Sequence, residues 1–146
     1  MTAQVPEQLI IDGKSHFMCA DPLSVYVDLG GKMPDLDYGI STLWRGYRGT
    51  WEIINRGLYL IDLMGFIRKG GDLKLGDVFP GVDRVFAHWF SGVVRSPRGE
   101  LLKYEHIGYA SEYEWDYFYE FEKGILINTI NRSNNAKGDP LIGVLY

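Results

Sequence analysis

Cysteine is nearly missing from this chain. Cys19 stands alone, so no internal disulfide can form and no C-x-x-C metal or redox motif is possible. Histidine is scarce too: His16, His88 and His106 show neither H-x-H nor H-x-x-x-H spacing, so no metal ligand set is expected. No apolar run approaches the ~20 residues of a membrane helix. No basic excess exists either, since 15 Lys and Arg stand against 19 Asp and Glu for a net charge of −4. That balance disfavours a nucleic-acid or anionic-membrane binder, which needs a basic face. Also missing are a G-x-S-x-G elbow, a phosphate-binding glycine loop and a dinucleotide fingerprint, so no cofactor is implied. The N-terminus carries no charged-then-apolar leader, and the expectation is a cytoplasmic protein.

Aromatic side chains, in contrast, are abundant. They make up 14% of 146 residues, ten of them tyrosine, and such rings suit the pleated, half-buried surface of a sheet. One domain is expected over residues 1–146. Turn chemistry divides it into about four hairpins. Asp12-Gly13 separates two apolar runs in "QLIIDGKSHFMC", and Asn55-Arg56-Gly57 does so in "TWEIINRGLYLIDL". Ser96-Pro97-Arg98-Gly99 has proline and glycine placed for a tight turn, and Lys123-Gly124 joins "EYEWDYFYEFE" to "ILINTI". Helix signals are few. Asp21 can cap a short helix opened by Pro22 and stopped by Gly30-Gly31, and a helical turn fits Val82 to Phe86. A polar loop spans Asn131 to Pro140, and the apolar "LIGVLY" after it is expected to pair as a last strand. The fold expected is β-dominated, all-β or α+β. It would be an antiparallel sandwich or small barrel with one or two short helices.

The stretch from Glu112 to Glu122 is the most distinctive. As a strand it puts Tyr113, Trp115, Tyr117, Tyr119 and Phe121 on one side. Glu112, Glu114, Asp116, Phe118, Glu120 and Glu122 fall on the other. The rings read as core and the acids as a solvated face, with Lys103, Arg95 and Lys123 near enough to offset them. The functional reading of the same face is an acidic strip that meets a partner protein. "LWRGYRGTW" is a second candidate, because Arg45 and Arg48 among large rings, with Tyr47, could orient a small anionic ligand of nucleotide size. Its plainer reading has the glycines bulge a strand while both arginines pair with acids of the domain. His106 beside Glu105 is the histidine placed for acid–base work, with Glu114 as its partner in proton transfer.

The blocks "WRGYRGTWEI…GLYL" and "VFAHWFSGVVRSPRGELLKYEHIGYASEYEWD" resemble a family of small uncharacterised bacterial proteins. The resemblance covers the chain from Pro22 to about Gly124 and implies a bacterial or phage-borne origin. It brings no activity and no catalytic residues. The chain departs from the pattern in "GFIRKGGDLKLGD" and in its tail after Arg132. The function expected is a non-enzymatic protein-binding or inhibitory factor, of immunity or anti-defence type. The alternative is a protein or hydrolase that binds a small anion near Arg45, Arg48 and His106. A homo-oligomer built through an exposed strand edge is a third.

Overall fold

The computed structural model describes residues 6–38, 45–103 and 112–134, with the backbone alone at 100–103 and 112. Strands dominate it. They are β1 (Glu7–Ile11), β2 (Lys14–Met18), β3 (Tyr47–Ile54), β4 (Gly57–Gly65), β5 (Val85–Phe86), β6 (Gly92–Lys103), β7 (Glu112–Glu122) and β8 (Ile125–Ser133). One helix, α1 (Pro22–Asp28), and a 3-10 turn at Leu75–Asp77 complete the regular structure. All eight strands belong to one sheet in the order β2-β1-β3-β4-β8-β7-β6, with β5 added beside β4. The β-dominated expectation holds, with two corrections. The sheet is mixed, because β1 and β3 run parallel, and the strands form one sheet rather than two stacked layers.

Three hairpins close on two-residue turns with both residues at positive φ: Asp12-Gly13, Asn55-Arg56 and Lys123-Gly124. That geometry matches the twist of the flanking strands, which is why these turns were readable from local residues. Gly57 therefore belongs to β4, opposite Ile54, and not to the turn. The expected turn at Ser96-Pro97-Arg98-Gly99 does not form. Those residues lie inside β6, and the β6–β7 register shifts between Arg98 and Leu101. Proline and glycine serve there as a bulge, with Gly99 at φ +83°.

The helix forms where expected. Asp21 accepts a bond from Ser24 N at 3.2 Å, and Pro22 opens the first turn. The helical turn expected at Val82–Phe86 does not form: residues 82–84 are irregular and Val85–Phe86 make the short strand β5, paired with Leu60 and Tyr59. Asn131 to Ser133, assigned above to a polar loop, continue β8, and the tail from 135 onward lies outside the described residues.

The sheet curls until its two end strands touch. Cys19 N donates to Arg95 O at 2.7 Å, and Ser96 Oγ donates to Phe17 O at 2.6 Å. Inside the curl lie Leu9, Met18, Trp51, Leu58, Leu60, Val94, Tyr119 and Phe121. A register shift at Thr50/Trp51 lets Leu63 join Leu58 and Leu60 in the core, so strict alternation along β4 fails there. Tyr26, Phe79 and Trp89 cluster with ring centroids 4.9 to 6.1 Å apart, Phe79 and Trp89 stacked and Tyr26 tilted against both. Trp89 Nε1 ties this cluster to α1 by donating to Pro22 O.

Candidate functional site

Three charged groupings stand on this frame, and they differ in how far each is neutralised. The first lies at the Glu7–Met18 end of the β1–β2 hairpin. Alternation along β1 sends Glu7, with Leu9, into the interior, where it is wholly buried. A buried carboxylate survives only if its oxygens are occupied. Trp51 Nε1 donates to Oε1 at 2.9 Å, and Gly49 N and Arg45 donate to Oε2, the latter at 3.0 Å. Gly49 makes this possible, because a Cβ there would stand 2.7 Å from Glu7 Oε1. Even so, burial pushes the Glu7 carboxyl up from 4.5 to about 7, against the lowering pull of Arg45.

Arg45 also faces Asp21, Nε to Oδ2 at 3.4 Å, and Tyr47 Oη lies 2.8 Å from both Asp21 oxygens. Burial, then Asp21, raises the Tyr47 phenol far above its ordinary value. The cleft in front, about 240 Å³, has Arg45 as its cation against Asp21 and Asp28. Arg45 and Tyr47 do come together, then, but with two acids facing the arginine. The guanidinium already faces Glu7 and Asp21, as the plainer reading of this segment expects. Arg48 points to the opposite face of β3, where its Nε donates to Pro6 O at 2.7 Å.

The second grouping corrects the acidic strip. Asp116 is not solvated but 2% exposed. Arg95 Nε donates to Oδ1 at 2.7 Å, while Arg132 Nη2 and Asn134 Nδ2 reach Oδ2 at 2.8 and 2.9 Å. Burial would raise its carboxyl, but the bonds from Asn134, Arg95 and Arg132 outweigh burial and hold it below its usual value. Arg132 sits directly across from Asp116 on β8, a cross-strand pair that sequence spacing does not reveal. Glu114 and Glu120 are half-buried and Glu122 is exposed. The side chain of Glu112 and all of His106 lie outside the described residues. On the ring side, Tyr119 and Phe121 are core, but Trp115 is 40% exposed because it lies near the strand's start, beyond the curl.

The third grouping was not singled out in the sequence. Where β2 and β6 separate, a pocket of about 210 Å³ opens, lined in part by His16, Phe17, Pro97, Arg98 and Tyr113. Pro97 explains the opening. It occupies the same edge as Arg95, whose carbonyl bonds β2, and having no N–H it cannot continue that ladder. Arg98 lies half-buried in the pocket, its guanidinium 4.4 Å from the Tyr117 ring centroid. Nη2 donates to Tyr119 Oη at 2.6 Å and Nε to Ser96 Oγ at 3.2 Å. Both partners are neutral, and among the described residues no carboxylate pairs with Arg98. His16, opposite Leu9 on β2, is held below its ordinary value by burial and then by Arg98 and Lys14. The charges that act on it are therefore positive. Phe17, 40% exposed, meets Tyr113 edge-on at 5.9 Å.

Among the described residues, no set of three or more His, Cys, Asp or Glu side chains could hold a metal ion. No helix among them is long and apolar enough to cross a membrane. No protein-family model, no curated protein and no solved structure matches the chain.

Proposed function

We propose that this protein is a binding protein that works by contact. Its recognition surface would be the seam between β2 and β6–β7, and its partner another protein. The observation that carries this reading is the company Arg98 keeps. A half-buried guanidinium that no carboxylate among the described residues matches stands beside the exposed ring of Phe17 and the half-buried ring of Tyr113, with Trp115 opposite Arg98 on β7. Arginine, tryptophan and tyrosine are the residues most enriched where binding energy concentrates, and a desolvated arginine gains most from an incoming acid. The ion pairs that enclose Asp116 and Arg45 favour the seam over the acidic strip and over the Arg45 cleft.

The test is site-specific photo-cross-linking in cells of the source, with the reactive group at position 17 or 115 and a control at the exposed Leu29. One protein species is expected from both seam positions, missing from position 29 and lost when Arg98→Ala is added. Equal yields from all three positions, or indifference to Arg98→Ala, would remove the seam as the recognition surface.

A further inference from the structure

We infer that the seam pocket is a carboxylate subsite, built to take one acidic side chain or chain terminus from the partner. This inference rests on the binding reading for the source of the acid, and it names the chemical group that the surface recognises. Three features carry it. Arg98 is pre-positioned: the Tyr117 ring stacks on its flat face while Tyr119 Oη and Ser96 Oγ fix two of its nitrogens. A guanidinium so held gives up little side-chain freedom when a carboxylate docks.

Among the described residues no carboxylate bonds Arg98; the Glu114 side chain packs instead against Gly99 at the pocket wall. Lys14 and His16 lie on the facing strand β2, and the neighbours on β6 and β7 that hold Arg98 are Ser96, Tyr117 and Tyr119. A half-buried cation bonded only to neutral groups, with Lys14 as a further positive charge on β2, costs free energy that an incoming anion returns. The pocket is also small. At about 210 Å³ it falls below the ~300 Å³ where drug-sized sites begin, so it suits a head group more than a whole cofactor. Pro97 keeps it open, since the strand edges cannot zip shut across it.

The experiment is an NMR titration of the whole chain, following the Arg98 Nε–Hε signal and the His16 ring signals. The probes are N-acetyl-glutamate methylamide, its glutamine counterpart and inorganic phosphate. The glutamate probe should move the Arg98 signal saturably and bind about tenfold or more tightly than the glutamine probe, a step of about 1.4 kcal/mol. Arg98→Lys should weaken that binding and Arg98→Met abolish it, while Arg45 signals stay still. An Arg98 signal that ignores the glutamate probe, or answers both probes equally, overturns the subsite. A stronger response to phosphate overturns the carboxylate assignment. The wild-type titration needs no variant to fold. If glutamate binds but position 17 cross-links nothing, the protein partner falls and the subsite stands; the reverse result removes the subsite alone.

Discussion

Arg45, beside Glu7 on β1, and Arg98, facing β2 across the seam, show what separates a structural arginine from a recognition arginine. Arg45 faces two carboxylates, Glu7 and Asp21, which are themselves bonded by Trp51 Nε1 and Tyr47 Oη. Arg98 lies across the seam from Ser15 to Phe17, held by two hydroxyls and a ring. Both are half-buried and both touch aromatic faces. The difference is the sign of the surroundings. A cation with matched acids is finished; one held, among the described residues, by neutral dipoles alone has capacity left for an anion from outside.

The sharpest way to break this comparison is to remove each arginine in turn. Arg45→Met leaves Glu7 buried with its charge uncompensated, and the loss should be about 3–5 kcal/mol in urea unfolding at pH 8. Arg98→Met removes two bonds to neutral hydroxyls and a ring contact and should cost about 1 kcal/mol. Equal losses would mean that Arg98 is as structural as Arg45.

The next effect sharpens the contrast through pH, because the two buried carboxylates shift in opposite directions. Glu7 is raised from 4.5 to about 7, so between those values the folded state holds a proton that the unfolded chain has released. Stability from Glu7 is then greatest below pH 4.5, falls as pH rises to about 7 and is level above. Asp116 is lowered, so its contribution is present above its ordinary 3.8 and is lost as pH falls through its lower folded value. Glu7→Gln should flatten the decline between pH 5 and 7, whatever its cost at any single pH. Asp116→Asn should leave that decline intact and remove part of the loss in strong acid. Unfolding midpoints in urea across pH 2–8 check both, and an unchanged slope in Glu7→Gln would deny that Glu7 titrates near 7.

Much of the fold was legible in the sequence, and the reasons are local. Asp12-Gly13 and Lys123-Gly124 announce their turns because glycine takes positive φ freely. Asn55 marks the third, although Gly57, expected in that turn, belongs to β4 and Arg56 takes the positive φ instead. The Asp21 cap with Pro22 is equally local. Ser96-Pro97-Arg98-Gly99 was misread because proline and glycine suit a strand bulge as well as a turn, and only pairing decides between them. Asp116 was misread because its neutralising partners arrive from neighbouring strands and from Asn134. Arg98 could not be found at all, since a missing partner is a tertiary fact with no signature along the chain.

Tryptophan gives a smaller effect on the same contrast. Trp51 is fully buried and bonds Glu7, so Trp51→Ala should cost about 3–5 kcal/mol. Trp115 is 40% exposed and should cost about 1 kcal/mol or less, while removing much of the seam's cross-linking to the partner. A large loss of stability in Trp115→Ala would return that ring to the core and weaken the seam surface.

The smallest effect concerns the acids left on the other face of β7. Glu120 is half-buried and Glu122 exposed, and with Asp116 enclosed by its own cations they no longer form a continuous strip with it. Charge reversal in the double variant Glu120→Lys, Glu122→Lys should change stability by no more than about 0.5 kcal/mol, as for most surface substitutions. It should also leave the glutamate titration of Arg98 unmoved, because Glu120 and the Arg98 pocket lie on opposite faces of the sheet. Cross-linking from position 17 should persist at the wild-type yield. If that yield collapses while the variant stays folded and Arg98 still binds glutamate, the partner is reading the acidic face, and the surface that recognises it extends around the sheet from the seam.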